Sequence, residues 1–452
     1  MRLLHTSDWH IGRTLYGEEL LTHQAAFLDW LLAEAIERQV HAVVVAGDVY
    51  DRAVPTTDAV AVLDNALRGF AAARLPVLLT SGNHDSAVRL GFGSRLSELA
   101  GVHLRTAVED IARPVLLSDE YGEVALYGIP YLLPDAVMTD LGAERSHASV
   151  LAAAVRLIKT DATERGIGRT VVAAHAFITG AIASESERDI RVGGIGDAPA
   201  ALFAGLTYVA LGHLHGQQDV SGGGGRTTVR YCGSPLAFAF SERHHHKSVT
   251  LADIDGAGHV KTTKLPTPVP RRLREVRGKL EDLLAGNASI GAPDLADAWV
   301  KVVLTDTVRP SSLMERLREI WPHTLVLEFE PEGELVSSTA DLRRLKQSVD
   351  PVEICEHFVE YTSGGPADTG HRRVLRDVVE ELRGSEAGAD LAASGVVRTS
   401  ADTPDTDTTD PAEARSIDEW LENAGREGDR DAAADGRKER RAGSGRGDSA
   451  VA

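Results

Sequence analysis

Cysteine is nearly absent from this chain. It has two, Cys232 and Cys355, too few and too far apart for a disulfide framework, and neither belongs to a paired-cysteine zinc motif. A reducing, cytoplasmic setting is the expectation. Long apolar runs are missing as well: no stretch approaches the roughly 18 apolar residues of a membrane helix. Met1 runs straight into an apolar strand with a candidate ligand at residue 8, which leaves no room for a signal peptide. Aromatics make up 5% of the residues, so the cores must rely on Leu, Val and Ala. Positive charge is short too, with 48 Lys and Arg against 67 Asp and Glu and a net charge of −19. The segment from Glu386 onward holds 16 acidic and 9 basic residues, so the acidity is not confined to the tail. This balance excludes a protein that simply coats nucleic acid. A chain of this charge that acts on DNA needs metal ions and local Arg or Lys at the phosphates, and a partner that brings DNA-binding surface.

What is present is a set of five short signatures in one order: Asp8-Trp9-His10, Gly47-Asp48-Val49-Tyr50-Asp51, Gly82-Asn83-His84-Asp85, a lone His175, and Gly212-His213-Leu214-His215. Each is weak alone, and a single His at a strand end is usually structural. Each, however, follows a short apolar run of the kind that forms buried strands, and sites in open α/β sheets gather beyond the carboxyl ends of strands. Asp8, His10, Asp48, Asn83, His175, His213 and His215 are candidate metal ligands. If the chain is extended at Asp8 and His10, the two side chains project to one side. Asp48 is the candidate bridge, because one carboxylate can offer an oxygen to each of two ions. Carboxylate, amide and imidazole with no thiol suit Mn(II), Fe(II) or Zn(II), with two divalent ions, Mn(II), as the expected cofactor. Such a pair clamps the attacking and leaving oxygens of a phosphoester. His84 is the candidate catalytic acid that protonates the departing alkoxide. Asp85 either holds that imidazole in one tautomer or caps the next helix. His244-His245-His246 has no carboxylate partner in the pattern and reads as a solvated loop. His5, His23, His41 and His103 read as structural, and Gly222 to Gly225 as a hairpin tip rather than a phosphate loop.

The residues outside the signatures suggest an α/β fold of two stacked sheets with helices outside, over residues 1–265. Helices are expected at Thr22–Glu37, with Phe27, Leu31 and Ile36 inward, at Thr56–Ala73, with Val60, Leu63 and Leu67 keeping helical spacing, and at His147–Glu164. Pro266, Pro268 and Pro270 mark a linker. A small strand-helix-strand-helix-strand unit follows over 271–330, then helical stretches within 338–385 whose apolar faces either dock on a partner or pack on the small domain. Residues 386–452 bury too little apolar surface to offset ordering entropy and read as a disordered tail, with one turn at Ile417, Trp420 and Leu421.

The signatures resemble the calcineurin-like metallophosphoesterase superfamily, with its β-sandwich flanked by helices. His5 to Gly12, Val45 to Asp51, Ser81 to Ser86, Arg188-Asp189-Ile190, Ala210 to His215 and Tyr231-Cys232-Gly233-Ser234-Pro235 narrow the likeness to the SbcD nucleases. The resemblance implies one ion on Asp8, His10, Asp48 and His215, a second on Asp48, Asn83, His175 and His213, and His84 as the acid. It implies a DNA-orienting cap in the small domain and a homodimer through Val60–Leu67 and Leu90–Leu99. It also implies docking of the helices after the cap on the coiled-coil ATPase SbcC. The implied activity is Mn-dependent 3′–5′ exonuclease action on duplex ends, and endonuclease action on hairpins or single strands, in DNA repair, recombination and replication. Some relatives carry a second His where this chain has Asp51, so Asp51 is expected to orient a neighbour instead. A small-molecule phosphodiesterase or phosphatase on the same scaffold is the rival reading, as is a non-enzymatic subunit.

Overall fold

A computed structural model describes residues 1–184, 186–187, 198–285, 295–307, 312–331 and 368–379, with Val352, Glu353, Cys355, Glu356 and Val359. Two six-stranded sheets stack face to face. The first runs Val260–Pro266, Ser248–Ile254, Arg2–Thr6, Ala42–Ala46, Val77–Thr80, Val102–Arg105. The last four strands are mutually parallel, and Ser248–Ile254 is antiparallel to both neighbours. The second runs Gln218–Asp219, Thr228–Tyr231, Tyr208–Gly212, Thr170–His175, Gly122–Ile129, Val115–Asp119, with four parallel strands between antiparallel edges.

Strand periodicity explains the stacking. Leu4, Val43 and Val45 face the helices Leu21–Glu37 and Thr57–Ala72. The alternate residues Leu3, Ala42, Val44 and Ala46 face the second sheet and meet Leu126, Val171, Ala173 and Ala210. The outer face of the second sheet is covered by the His147–Arg165 helix through Val150, Ala154 and Ile158. Both faces of each sheet are thus buried, which is why the strands read as continuous apolar runs. Each fully buried Val or Leu contributes about 1.5–3 kcal/mol. The helices are delimited by ordinary signals. The Thr56 hydroxyl accepts the Ala59 N–H at 3.3 Å, the Ser146 hydroxyl accepts that of Ser149 at 3.1 Å, and Gly166 ends its helix at φ +68°.

Two expected faces are corrected. Ile36 is 54% exposed, because the buried stripe of its helix runs through Phe27, Leu28, Leu31 and Ala35 and leaves the next position outside it, and Val60 is 46% exposed while Ala59, Leu63 and Phe70 turn inward. The strand Val102–Arg105 and the hairpin Thr14–Leu15/Glu18–Glu19 carry too few residues to show a period, and neither is anticipated by the sequence. Gly222 to Gly225 lies between the paired strands Gln218–Asp219 and Thr228–Tyr231, as a hairpin tip should.

A third sheet, all parallel, contains Leu273–Gly278, Trp299–Leu304 and Thr324–Phe329 with helices Leu280–Leu284 and Leu313–Ile320, in the expected alternation. Val276, Leu283, Val302, Leu304 and Leu317 form its own core. It meets the large sheets through a separate cluster of Leu15, Leu20, Leu236, Phe238, Phe240, Leu273 and Trp299. Residues 369–379 are helical, overlapping the helix expected at His371–Leu382 within the 338–385 segment. The stretch 341–348, most of 352–361, Arg188-Asp189-Ile190 and the tail 386–452 lie outside the described residues. Among the described residues no helix is long and apolar enough to cross a membrane.

Candidate metal centre

The strands Arg2–Thr6, Ala42–Ala46, Val77–Thr80, Thr170–His175 and Tyr208–Gly212 end along one edge, and all eight sequence-predicted site residues converge there. The backbone at this edge is not extended. Asp8 has φ +53°, His10 +44°, Asp48 +49° and His213 +108°, a region that side chains other than glycine seldom adopt. The expectation that Asp8 and His10 share a side by strand alternation is therefore corrected: left-handed turns aim both at the centre. Close approach excludes a Cβ at three glycines, among them Gly47, where it would collide with the His175 side chain. At Gly82 it would collide with the Asp48 carboxylate, and at Gly212 with the Ala46 carbonyl.

The Asp48 carboxylate sits between two groups of donors. Its Oδ2 lies 3.6 Å from His10 Nε2 and 3.5 Å from His175 Nε2. On one side His10 Nε2 is 3.1 Å from His215 Nε2, and the Asp8, His10 and His215 donors cluster together. On the other side Asn83 Oδ1 is 2.9 Å from His175 Nε2 and 3.3 Å from His213 Nδ1. The Asp8, Asp48 and His175 donors also cluster, so Asp8 borders both groups. Separations near 3 Å are those of neighbouring ligands about one divalent ion with bonds of about 2.1 Å.

The protonation states suit cation binding. His175 Nδ1 is 3.0 Å from the Ala46 carbonyl oxygen, which can only accept, so Nδ1 carries the proton and Nε2 presents a lone pair. His215 Nδ1 is 2.7 Å from the Ser186 hydroxyl and 3.4 Å from the acceptor-only Glu242 carboxylate, which favours the same tautomer, and the Glu187 carboxylate accepts the His215 backbone N–H at 2.7 Å. Burial lowers the pKa of His175 to about 4, and burial with the neighbouring His215, His84 and Arg13 holds His10 well below the ordinary range. Both rings are neutral at neutral pH, as ligands must be. Asp8 is buried, and burial together with the facing Asp48 carboxylate raises its pKa well above the ordinary value. Two facing buried acids among neutral imidazoles are costly unless a cation joins them. The Asp8 carboxylate also accepts the Ser7 hydroxyl and, at 3.0 Å, the His213 N–H.

His84 stands beside this set. Its Nδ1 donates to the Asp51 carbonyl at 2.8 Å, and its Nε2 is 4.0 Å from Asp48 Oδ2. The backbone of Asp51, not the carboxylate of Asp85, thus orients the ring. Asp85 fills neither of its two expected roles. It accepts the N–H groups of Val49 at 3.0 Å, Tyr50 at 2.8 Å and Gly82 at 2.8 Å, which ties the two ligand loops together, while Ser86 caps the next helix. His5 is buried and satisfied, accepting from the Tyr208 hydroxyl at 2.8 Å and donating to the Leu211 carbonyl at 3.2 Å. His41 is exposed and accepts the Arg2 N–H, and His23 lies edge-on to Trp299. His103 is half-buried, and its Nδ1 makes no hydrogen bond.

Sequence reasoning misses the groups behind His215. Glu242 is buried, pairs with Lys247, accepts the Phe238 N–H at 3.0 Å and places Oε1 3.4 Å from His215 Nδ1. The Lys247 ammonium also donates to the His215 carbonyl at 3.0 Å and to the Ser234 hydroxyl at 2.8 Å, which gives the Gly233-Ser234-Pro235 run its role. Of the three histidines after Glu242, His244 ends a short helical turn while His245 and His246 lie in the expected loop, with His244 and His246 exposed. Only the pairing of Glu242 with Lys247 five residues on was open to the sequence as a signal.

Comparison with known proteins places this geometry. Residues 1–217 match the calcineurin-like phosphoesterase family, and residues 269–363 match the type 5 capsule protein repressor C-terminal domain. The SbcD component of the SbcCD nuclease of Rhodobacter capsulatus is 36% identical over 315 residues, 65% of this chain and 77% of that protein. The chain belongs to the SbcD family. A second SbcD protein, from the SbcCD nuclease of Staphylococcus saprophyticus, is 26% identical over 388 residues, 84% of this chain and 98% of its own length. The crystal structure of TT1561 of Thermus thermophilus covers 58% of this chain and 98% of its own, at 15% identity and a TM-score of 0.36. This SbcD chain carries a calcineurin-like phosphoesterase domain with a centre built for two metal ions.

Proposed function

We propose that this chain is the nuclease subunit of an SbcCD-type complex and hydrolyses DNA phosphodiesters with two Mn(II) ions. The observation that carries the reading is the Asp48 carboxylate lying 3.6 Å from His10 and 3.5 Å from His175, with a complete donor group on either side. Asp8, His10, Asp48 and His215 would hold one ion, and Asp48, Asn83, His175 and His213 the other. Such a pair supplies a strong nucleophile from water at neutral pH and neutralises charge on the phosphoryl oxygens. Asp48 holds both donor groups in register. The Asp51 carbonyl fixes the His84 ring so that Nε2 faces the centre, where it donates a proton to the departing 3′ or 5′ oxygen.

The substrate is duplex ends in the 3′–5′ direction, and hairpins or single strands as endonuclease targets. The small domain over 271–330 acts as a cap that orients DNA on the domain over 1–265. The segment 338–385 docks on an SbcC-type ATPase in the cytoplasm, at the nucleoid. The naming of both SbcD relatives as parts of SbcCD supports this partner, and the acidic balance of the chain supports DNA grip supplied by another protein. A homodimer is supported by the exposed apolar side chains Val60, Phe92, Leu96 and Leu99 on the segments where it is expected, with Phe92 at 89% exposure.

The test is hairpin-DNA cleavage in Mn(II) by the wild-type chain and His84→Ser. A loss of about 10²–10⁴-fold, with both ions retained, is expected. Equal cleavage by the two proteins removes His84 from the mechanism, and faster turnover of cyclic nucleotides than of DNA favours a small-molecule phosphodiesterase.

A further inference from the structure

The two donor groups are supported by different parts of the molecule. Asn83, His175 and His213 rest on the large sheets: His175 ends a central strand and is bonded to Ala46 on another, and His213 lies against Phe177 of the second-sheet core. His10 and His215 rest on the segment from Leu236 to Lys247. The Phe238 ring meets the His10 ring at 5.2 Å and the His215 ring at 5.4 Å, both edge-on, and the Arg13 guanidinium at 4.8 Å. Glu242 and Lys247 grip His215 from behind.

The third sheet sits on this same segment. Leu236, Phe238 and Phe240 share one buried cluster with Leu273 and Trp299, which begin the first two strands of that sheet, and Arg243 lies 3.6 Å from Glu275 on the first strand. Glu242 and Lys247 are buried charges, with side chains 0% and 3% exposed. Packing alone is served as well by apolar side chains there, since desolvating a buried ion pair costs several kcal/mol per ion. The pair instead gives His215 a polar backing on a segment that the small domain contacts.

We infer that the position of the small domain sets the ion affinity of the His10/His215 side of the centre, through Phe238 and Glu242 as positioning residues, and leaves the Asn83/His175/His213 side untouched. The inference rests on the reading that Asp8, His10, Asp48 and His215 hold one ion. Anything that shifts the small domain, a bound duplex among them, then adjusts one ion and not the other.

The experiment is calorimetric titration of the full chain with Mn(II), paired with the visible absorption of the Co(II)-loaded protein. The variants are Trp299→Leu and the milder Leu273→Ala, neither of which lies in the centre, with Glu242→Gln as the near control. Glu242→Gln is expected to weaken one of the two ions by about 10–100-fold, the range for groups that orient a metal-binding His. Trp299→Leu and Leu273→Ala should weaken that same ion by about tenfold and change its Co(II) spectrum, with the other ion within about twofold of wild type. Trp299→Phe should restore it. If both small-domain variants keep wild-type affinities and spectra, or weaken both ions equally, the coupling is wrong while the reading of the site stands. If the wild-type chain binds fewer than two ions, or His215→Ala weakens neither, the reading of the site falls and the inference with it.

Discussion

The two sides of the centre use the same imidazole chemistry but differ in what holds it. On the side of His175, the histidine that the sequence offers as an isolated residue is anchored by main chain, with its Nδ1 proton on the Ala46 carbonyl. On the side of His215, anchoring falls to side chains: Ser186, Glu187, Glu242 and Lys247. A main-chain anchor moves only with the sheet, whereas a side-chain anchor moves with whatever packs on its segment. The difference suggests one rigid and one adjustable ion position that share Asp48.

Substitutions can break or sharpen this contrast. The largest effect should come from Asp48→Asn, which removes the shared ligand: both ions weaken and DNA cleavage falls by about three orders of magnitude or more, read by metal stoichiometry and hairpin cleavage. Loss of one ion only removes Asp48 as the bridge. Next come His175→Ala and His215→Ala, each expected to lose one ion and retain the other, with Co(II) spectra that differ between the two. Identical spectra erase the distinction between the sides.

A smaller effect belongs to Ser186→Ala, which removes the hydroxyl 2.7 Å from His215 Nδ1 and should weaken the His215 ion by about tenfold, with His175 unaffected. The smallest is a remote control. Asp119 is held well below the usual carboxylate range by Arg169 and the chain's amino terminus, against the opposing effect of burial. Its stabilising contribution is complete above the unfolded value near 3.9 and fades as pH falls below it, so Asp119→Asn should flatten the acid limb of a thermal-melting profile between about pH 5 and 2. Both ion affinities should stay unchanged.

The sequence makes the inner ring of this site legible because each of the five signatures follows its own apolar strand, and parallel strands bring their carboxyl ends to one edge. The stacked sheets and the small three-stranded unit are readable for the same reason, since fully buried strands leave continuous Val and Leu runs such as Ala42–Ala46. Three things are not legible. The left-handed turns at Asp8, His10, Asp48 and His213 carry no residue signal, because glycine is the usual mark of that conformation and none of the four is glycine. Asp85 contacts backbone amides 35 and 36 residues away, which no local pattern encodes. Glu242 reaches His215 across 27 residues and becomes meaningful only when the segment from Leu236 to Lys247 folds under it.

The most direct measurement is anomalous diffraction at the manganese edge from crystals of the full chain grown with Mn(II). Two peaks are predicted, both adjoining the Asp48 carboxylate, one also beside His10 and His215 and the other beside Asn83 and His175. A single peak, or two peaks of which only one touches Asp48, contradicts the account.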